Sequence, residues 1–180
     1  LAESCEYDEA SCTYTFHLKN GVKWHDGEDF TAKDVVFTYQ VLTEDETLTS
    51  SVTSNYEDIT DITAPDDETV VITLDQYCAN MPGYFTIGII PQHLLEGEDM
   101  QESDFFRHPV GTGPYKLADW EEGQAITLEK NVDYFQGEPN IDTIIFKIVP
   151  DDNAKAIQMQ TGELDLALLT PKDAKTFAGK

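Results

Sequence analysis

Apolar and polar residues alternate from Cys12 to Leu18, with Cys12, Tyr14, Phe16 and Leu18 on one side and Thr13, Thr15 and His17 on the other. A period of two predicts a half-buried β-strand. Asn20-Gly21 turns the chain, residues 22–24 extend it again, and Asp26-Gly27 turns it once more. The period then lengthens. Val35, Tyr39 and Leu42 recur at i, i+4 and i+7 behind Thr31-Ala32-Lys33-Asp34, whose first and last residues suit a capping box, so a helix is predicted over 31–43. Residues 43–55, rich in Thr, Ser, Asp and Glu, show little period and read as a loop or an irregular helical turn. Ile59, Ile62 and Ala64, then Val70, Ile72 and Leu74, flank Pro65-Asp66-Asp67-Glu68, which predicts a hairpin. Residues 76–90 are apolar and aromatic and read as a short helix followed by a strand. Pro91 restarts a short helix that Gly97 ends, and residues 98–107 look exposed.

From residue 108 onward the pattern changes. A Gly-Thr-Gly-Pro turn at 111–114 launches a strand from Tyr115, residues 121–124 turn it, and 126–129 run back as the second arm of a hairpin. Ile141, Ile144, Ile145, Phe146, Ile148 and Val149 form a nearly continuous run, the signature of a strand buried on both faces. Asp151 or Asp152 can cap a following helix, Ala154, Ala156 and Ile157 give it an apolar stripe, Gly162 suits its C-terminus, and LDLALL resumes an extended run. Strand, helix, strand predicts a right-handed parallel βαβ unit. The fold class is therefore mixed α/β (α+β), with 1–107 as one subdomain, 108–170 as part of a main sheet carrying the βαβ unit, and 171–180 as the start of a further segment.

The 180 residues suffice for one domain or two small ones. Thirty-five acidic residues against eleven basic ones give a net charge of -24, which opposes binding to nucleic acid or anionic lipid and reads as a solvated, self-repelling surface. No D-x-[DN]-x-[DN]-G calcium loop occurs, and no run approaches the ~18 apolar residues of a membrane span. Three cysteines cannot all pair. Cys5 and Cys12 would face each other, and could form a disulfide, if Asp8 and Glu9 formed the tip of a two-residue hairpin; a one-residue change of register removes that possibility. Cys78 reads as a free, buried thiol.

Catalytic motifs are missing from the sequence. His25-Asp26 is the one adjacent His-carboxylate pair, and Asp26-Gly27 is turn chemistry, so the pair reads as structural. The histidines at 17, 25, 93 and 108 lack metal-ligand spacing, the cysteines lack C-x-x-C, and neither G-x-S-x-G nor a P-loop is present, so no metal and no cofactor is expected. Gly111 and Gly113 precede a strand rather than a helix N-terminus, which argues against phosphate cradling.

Two blocks in order carry a resemblance. YTFHLKNGVKWHDGEDFTAKDVVFTYQVL (14–42) is one; GTGPYKL, W-x-x-G-Q, L-x-x-N-x-D-Y-F, I-F-K-I-V and T-G-E-L-D make up the other. Together they resemble the bacterial extracellular solute-binding proteins of the peptide/nickel ABC-transporter family, family 5. That family usually has tryptophan where Cys5 stands here. The resemblance implies a periplasmic-binding-protein-like type II fold, of which this chain would be an internal fragment of one lobe. It implies non-catalytic capture of short peptides outside the cell and delivery to a membrane ABC permease, with an anchored lipoprotein or a periplasmic protein as the full receptor. A nickel chelate or oligosaccharide is the alternative ligand, and a secreted enzyme a distant alternative. The rest of the binding site would belong to the missing lobe of the same protein. Tyr77, Tyr84 and Phe85 admit two accounts: ordinary core packing, or contact with ligand in the inter-lobe cleft. Tyr84, Phe85 and Thr86 are the ligand-binding candidates, and Gly113 and Tyr115 are weaker ones.

Overall fold

The computed structural model describes residues 1–44 and 51–177. Four strands, β1 (Ala2–Asp8), β2 (Thr13–Leu18), β3 (Ile59–Asp66) and β4 (Thr69–Leu74), form an antiparallel sheet in the order β1-β2-β4-β3. The period-two reading explains the central pair, because Tyr14 and Leu18 of β2 and Val70, Ile72 and Leu74 of β4 are buried in alternation. Each such aliphatic side chain contributes about 1.5–3 kcal/mol by leaving water. Helix α1 (Ala32–Glu44) covers this face with Val35 and Tyr39, and Trp24 and Phe30 close the core beside it, their rings edge to face at 5.9 Å.

The predicted hairpin over 59–74 forms. At its turn the Asp66 carboxylate accepts from the Glu68 amide at 2.9 Å, which lowers the Asp66 pKa below its ordinary value. The first turn differs from expectation. Asp8 pairs with Thr13 and Cys5 with Phe16, so the loop spans 9–12 and the register runs four residues past the one that would oppose Cys5 to Cys12. Both are free thiols, as is the half-buried Cys78; no pairing of Cys5 with Cys12 forms.

Short elements follow: a 3-10 turn (Thr53–Tyr56), α2 (Met81–Tyr84), α3 (Gln92–Leu95) and a second 3-10 turn (Asp104–Phe106). Residues 85–90 do not form the expected strand; their apolar side chains Phe85, Ile87 and Ile89 pack against the core from an irregular segment. The loop expected over 43–55 falls partly outside the described residues, while α1 itself runs to Glu44.

A second sheet has the order β5-β6-β7, from β5 (Tyr115–Glu121), β6 (Ala125–Lys130) and β7 (Thr143–Lys147). Lys130 N–H donates to Asp142 at 2.9 Å and Ile148 N–H to Gln124 at 2.8 Å, so β6 and β7 run antiparallel. Helix α4 (Asp152–Thr161) starts where the sequence suggests. Asp151 caps it, its carboxylate accepting from the Ala154 amide at 2.7 Å, and Gly162 ends it at φ 77°, a conformation that favours glycine. Helix α5 (Pro171–Phe177) closes the described chain. Two expectations fail here. The run at 141–149 is mostly exposed, with Ile145 and Phe146 more than half accessible, and residues 164–169 form no strand, leaving Leu166 and Leu168 89 % and 92 % exposed. Among the described residues no strand pairs with 164–169, so the βαβ unit is not completed.

The chain divides into two compact units, one of residues 1–117 and 129–142, the other of 118–128 and 143–180. No described helix is long and apolar enough to cross a membrane.

Candidate functional site

Within the first unit the two sequence blocks meet at a pair of turns. Trp24 N–H donates to Glu28 O at 2.8 Å, Gly27 N–H to Trp24 O at 2.9 Å, and Lys23 is tied to Asp29 at 2.7 Å, which fixes the turn carrying His25 and Asp26. The two side chains have separate partners. Asp26 Oδ2 lies 2.7 Å from His93 Nε2, and Asp26 Oδ1 accepts from the Glu28 amide. Burial works against that carboxylate, but the hydrogen bonds from His93 and Glu28 prevail and hold its pKa below the ordinary value.

His25 faces the 111–114 turn. Its backbone N–H donates to Gly111 O at 2.8 Å, its Nδ1 accepts from Gly111 N–H at 3.2 Å, and its Nε2 lies 3.0 Å from Gly113 O. A Cβ at Gly111 would meet the imidazole Cε1 at 3.4 Å, ordinary van der Waals contact, so the turn backbone lies directly against the ring. Asn131, almost fully buried, donates from its side chain to the same Gly113 carbonyl at 3.2 Å and from its backbone to Pro114 O at 2.8 Å. Lys116 Nζ donates to His25 O at 3.0 Å, and Tyr115 Oη donates to Ile141 O at 3.1 Å.

A second polar knot holds α1 to the segment ahead of α3. Asp34, 4 % exposed, accepts from Thr31 N–H at 2.9 Å, from Gln92 N–H at 2.9 Å and from Trp24 Nε1 at 3.3 Å. Thr38 Oγ1 donates to Asp34 O at 2.7 Å and accepts from Ile90 N–H at 3.0 Å. The expected capping box is thus present in its return half, with the Thr31 hydroxyl accepting from Lys33 N–H at 3.3 Å.

Of the candidate ligand residues, Phe85 stacks edge to face on Tyr14 at 5.2 Å and Phe16 at 5.0 Å, and with Thr86 it lines an apolar cavity of about 270 Å³. Tyr84 turns to Tyr56, whose hydroxyl donates to Tyr84 O at 2.8 Å. The exposed Thr86 donates to Gly83 O at 2.8 Å. Tyr77 is 66 % exposed and leans on Tyr7, with ring centroids 5.8 Å apart. Gly113 O accepts from the His25 ring and Tyr115 donates to Ile141 O, contacts separate from those of Phe85 and Thr86. His25, Lys116 and Asn131 are missing from the sequence-based candidates; the co-occurrence of W-H-D-G with G-T-G-P and the asparagine of L-x-x-N was the available signal. Among the described residues no group of three or more His, Cys, Asp or Glu could hold a metal ion.

The family model for the bacterial extracellular solute-binding proteins, family 5 Middle, matches residues 1–180. The chain belongs to this family. The oligopeptide-binding protein AppA of Bacillus subtilis is 37 % identical over 183 residues, covering 98 % of this chain and 33 % of AppA. The AppA structure in complex with a nonapeptide superposes with a TM-score of 0.91 at 36 % identity, over 98 % of this chain and 36 % of that one. NikZ from Campylobacter jejuni in complex with Ni(L-His) gives a TM-score of 0.93 at 29 % identity, over 100 % of this chain and 36 % of NikZ. The fold is therefore the periplasmic-binding-protein-like one of family 5, and the chain spans about a third of the length of the relatives it matches.

Proposed function

We propose that this chain is the middle portion of the substrate-binding component of an ABC importer, which captures short peptides outside the cell and presents them to a membrane permease without chemical change. The observation that carries the reading is the likeness to AppA, a nonapeptide-bound receptor, over nearly the whole chain at 36 % identity. An extended peptide suits such a receptor because its backbone hydrogen bonds can be met whatever its side chains are. Phe85 and Thr86, at one cavity, are the residues we assign first to ligand contact, with Tyr84 beside them; Gly113 and Tyr115 are assigned to shaping the 111–114 turn and the strand that follows it. The groups that fix the peptide termini are assigned to polypeptide beyond this third of the receptor, and the anchor, lipid or otherwise, to the same part.

The NikZ complex with Ni(L-His) favours a second reading, a small metal chelate as ligand. Native mass spectrometry of the full-length receptor purified from its own host separates the two. Co-purified peptides of two to nine residues are expected, whereas a nickel-histidine mass in their place would overturn the peptide reading.

A further inference from the structure

The ring of His25 is held at both nitrogens by backbone groups of one turn. Gly111 offers an N–H, so Nδ1 must present its lone pair; Gly113 offers a carbonyl, so Nε2 must carry the proton. One neutral tautomer satisfies both, and the imidazolium satisfies only one. We infer that His25 is a proton-sensitive clasp, whose neutral ring fastens the 111–114 turn to the 24–27 turn and whose protonation at Nδ1 releases it by setting N–H against N–H at Gly111.

Among the described residues, the charged groups facing the ring are few. Lys116 brings its ammonium to the His25 carbonyl at 3.0 Å, adding positive charge next to a ring that would become positive. Asp26 stands beside His25 in the turn, but its two oxygens are engaged by His93 Nε2 and the Glu28 amide. From the other side come the backbone of Gly111 and Gly113 and the neutral amide of Asn131. Half-burial depresses the His25 pKa below 6.5; the Gly113 hydrogen bond pulls upward, Lys116 downward and Asp26 weakly upward, with a net lowering. The unfolded chain therefore takes up this proton first. The clasp contributes fully above about pH 6.5, and its contribution is lost as pH falls from there toward the lowered folded value.

NMR on the uniformly ¹⁵N-labelled protein tests this without a mutation. At neutral pH the long-range ¹H–¹⁵N spectrum should show His25 as the Nε2–H tautomer. On acidification Nδ1 should gain its proton with a midpoint below about 6.5, and the protection factor of the Gly111 amide should fall about tenfold at that same midpoint, while the Val70 amide in β4 keeps its protection. In His93→Gln the Gly111 transition should persist at the same pH, assigning it to His25. An Nδ1–H tautomer at neutral pH would overturn the clasp. So would a His25 titration that leaves Gly111 protection unchanged, or a Gly111 transition that disappears in His93→Gln.

Discussion

Replacing Asp34 by alanine removes one acceptor from three donors at once, and the structure sets how much that costs. Trp24 is 3 % exposed, so its indole N–H would be left without a partner and beyond the reach of solvent, at a cost of about 1–3 kcal/mol. The amides of Thr31 and Gln92 are half-buried, and water can recover part of each bond, leaving about 0.5–1.5 kcal/mol apiece. Loss of an acid from the first turn of α1 adds about 0.3–1 kcal/mol. Allowing for non-additivity, Asp34→Ala should destabilise by about 3–5 kcal/mol. With a urea slope of about 2 kcal/mol per molar, the unfolding midpoint should fall by about 2 M, followed by tryptophan fluorescence and circular dichroism together. Asp34→Asn keeps the size and one acceptor oxygen but turns an NH₂ toward donors, so it should fall between the wild type and alanine. A midpoint for Asp34→Ala within about 0.5 M of wild type would refute the claim that this carboxylate ties α1, Trp24 and the 90–92 segment together.

Thr31→Ala should cost only about 0.5–1 kcal/mol, since a single bond of 3.3 Å at a half-buried site is lost, and the same urea series measures it. Acid should weaken the fold in a defined window. Asp66 and Asp8 are held below the ordinary carboxylate value chiefly by turn amides, of Glu68 and Ala10 respectively, and Asp142 by Lys130 at 2.7 Å. Between their lowered folded values and about 3.9 the unfolded chain binds more protons, so stability present above about pH 4 should decline as pH falls further. Urea midpoints that stay flat between about pH 5 and 2.5 would contradict those turn bonds.

What the sequence discloses and what it hides divide along one line. Strand β2, helix α1, the β3–β4 hairpin and α4 with its Asp151 cap all rest on residues close in the chain, and all were legible from period and cap chemistry. The failures need a distant partner. The apolar run at 141–149 reads as doubly buried because its composition is that of a central strand, yet burial requires neighbours that periodicity cannot supply, and in this chain Ile145 and Phe146 remain exposed. LDLALL has the composition of a strand, but among the described residues no strand pairs with it. The Cys5 register turned on whether the loop had two residues or four, a difference of turn geometry that β-propensity does not encode. His25 was legible as part of a turn. Its ring partners, 86 and 88 residues away, were not.

The first unit is discontinuous: it uses residues 1–117, leaves the chain for eleven residues, and is completed by 129–142. During synthesis this imposes an order of events. Of the two donors that hold the Gly113 carbonyl, His25 has already been made when the 111–114 turn emerges, whereas Asn131 has not. At about 5–20 residues per second, the stretch from 118 to 142 takes roughly 1–5 s to follow. For that interval the turn hangs on the histidine, and an earlier-made stretch of the chain waits for a later one to complete its unit.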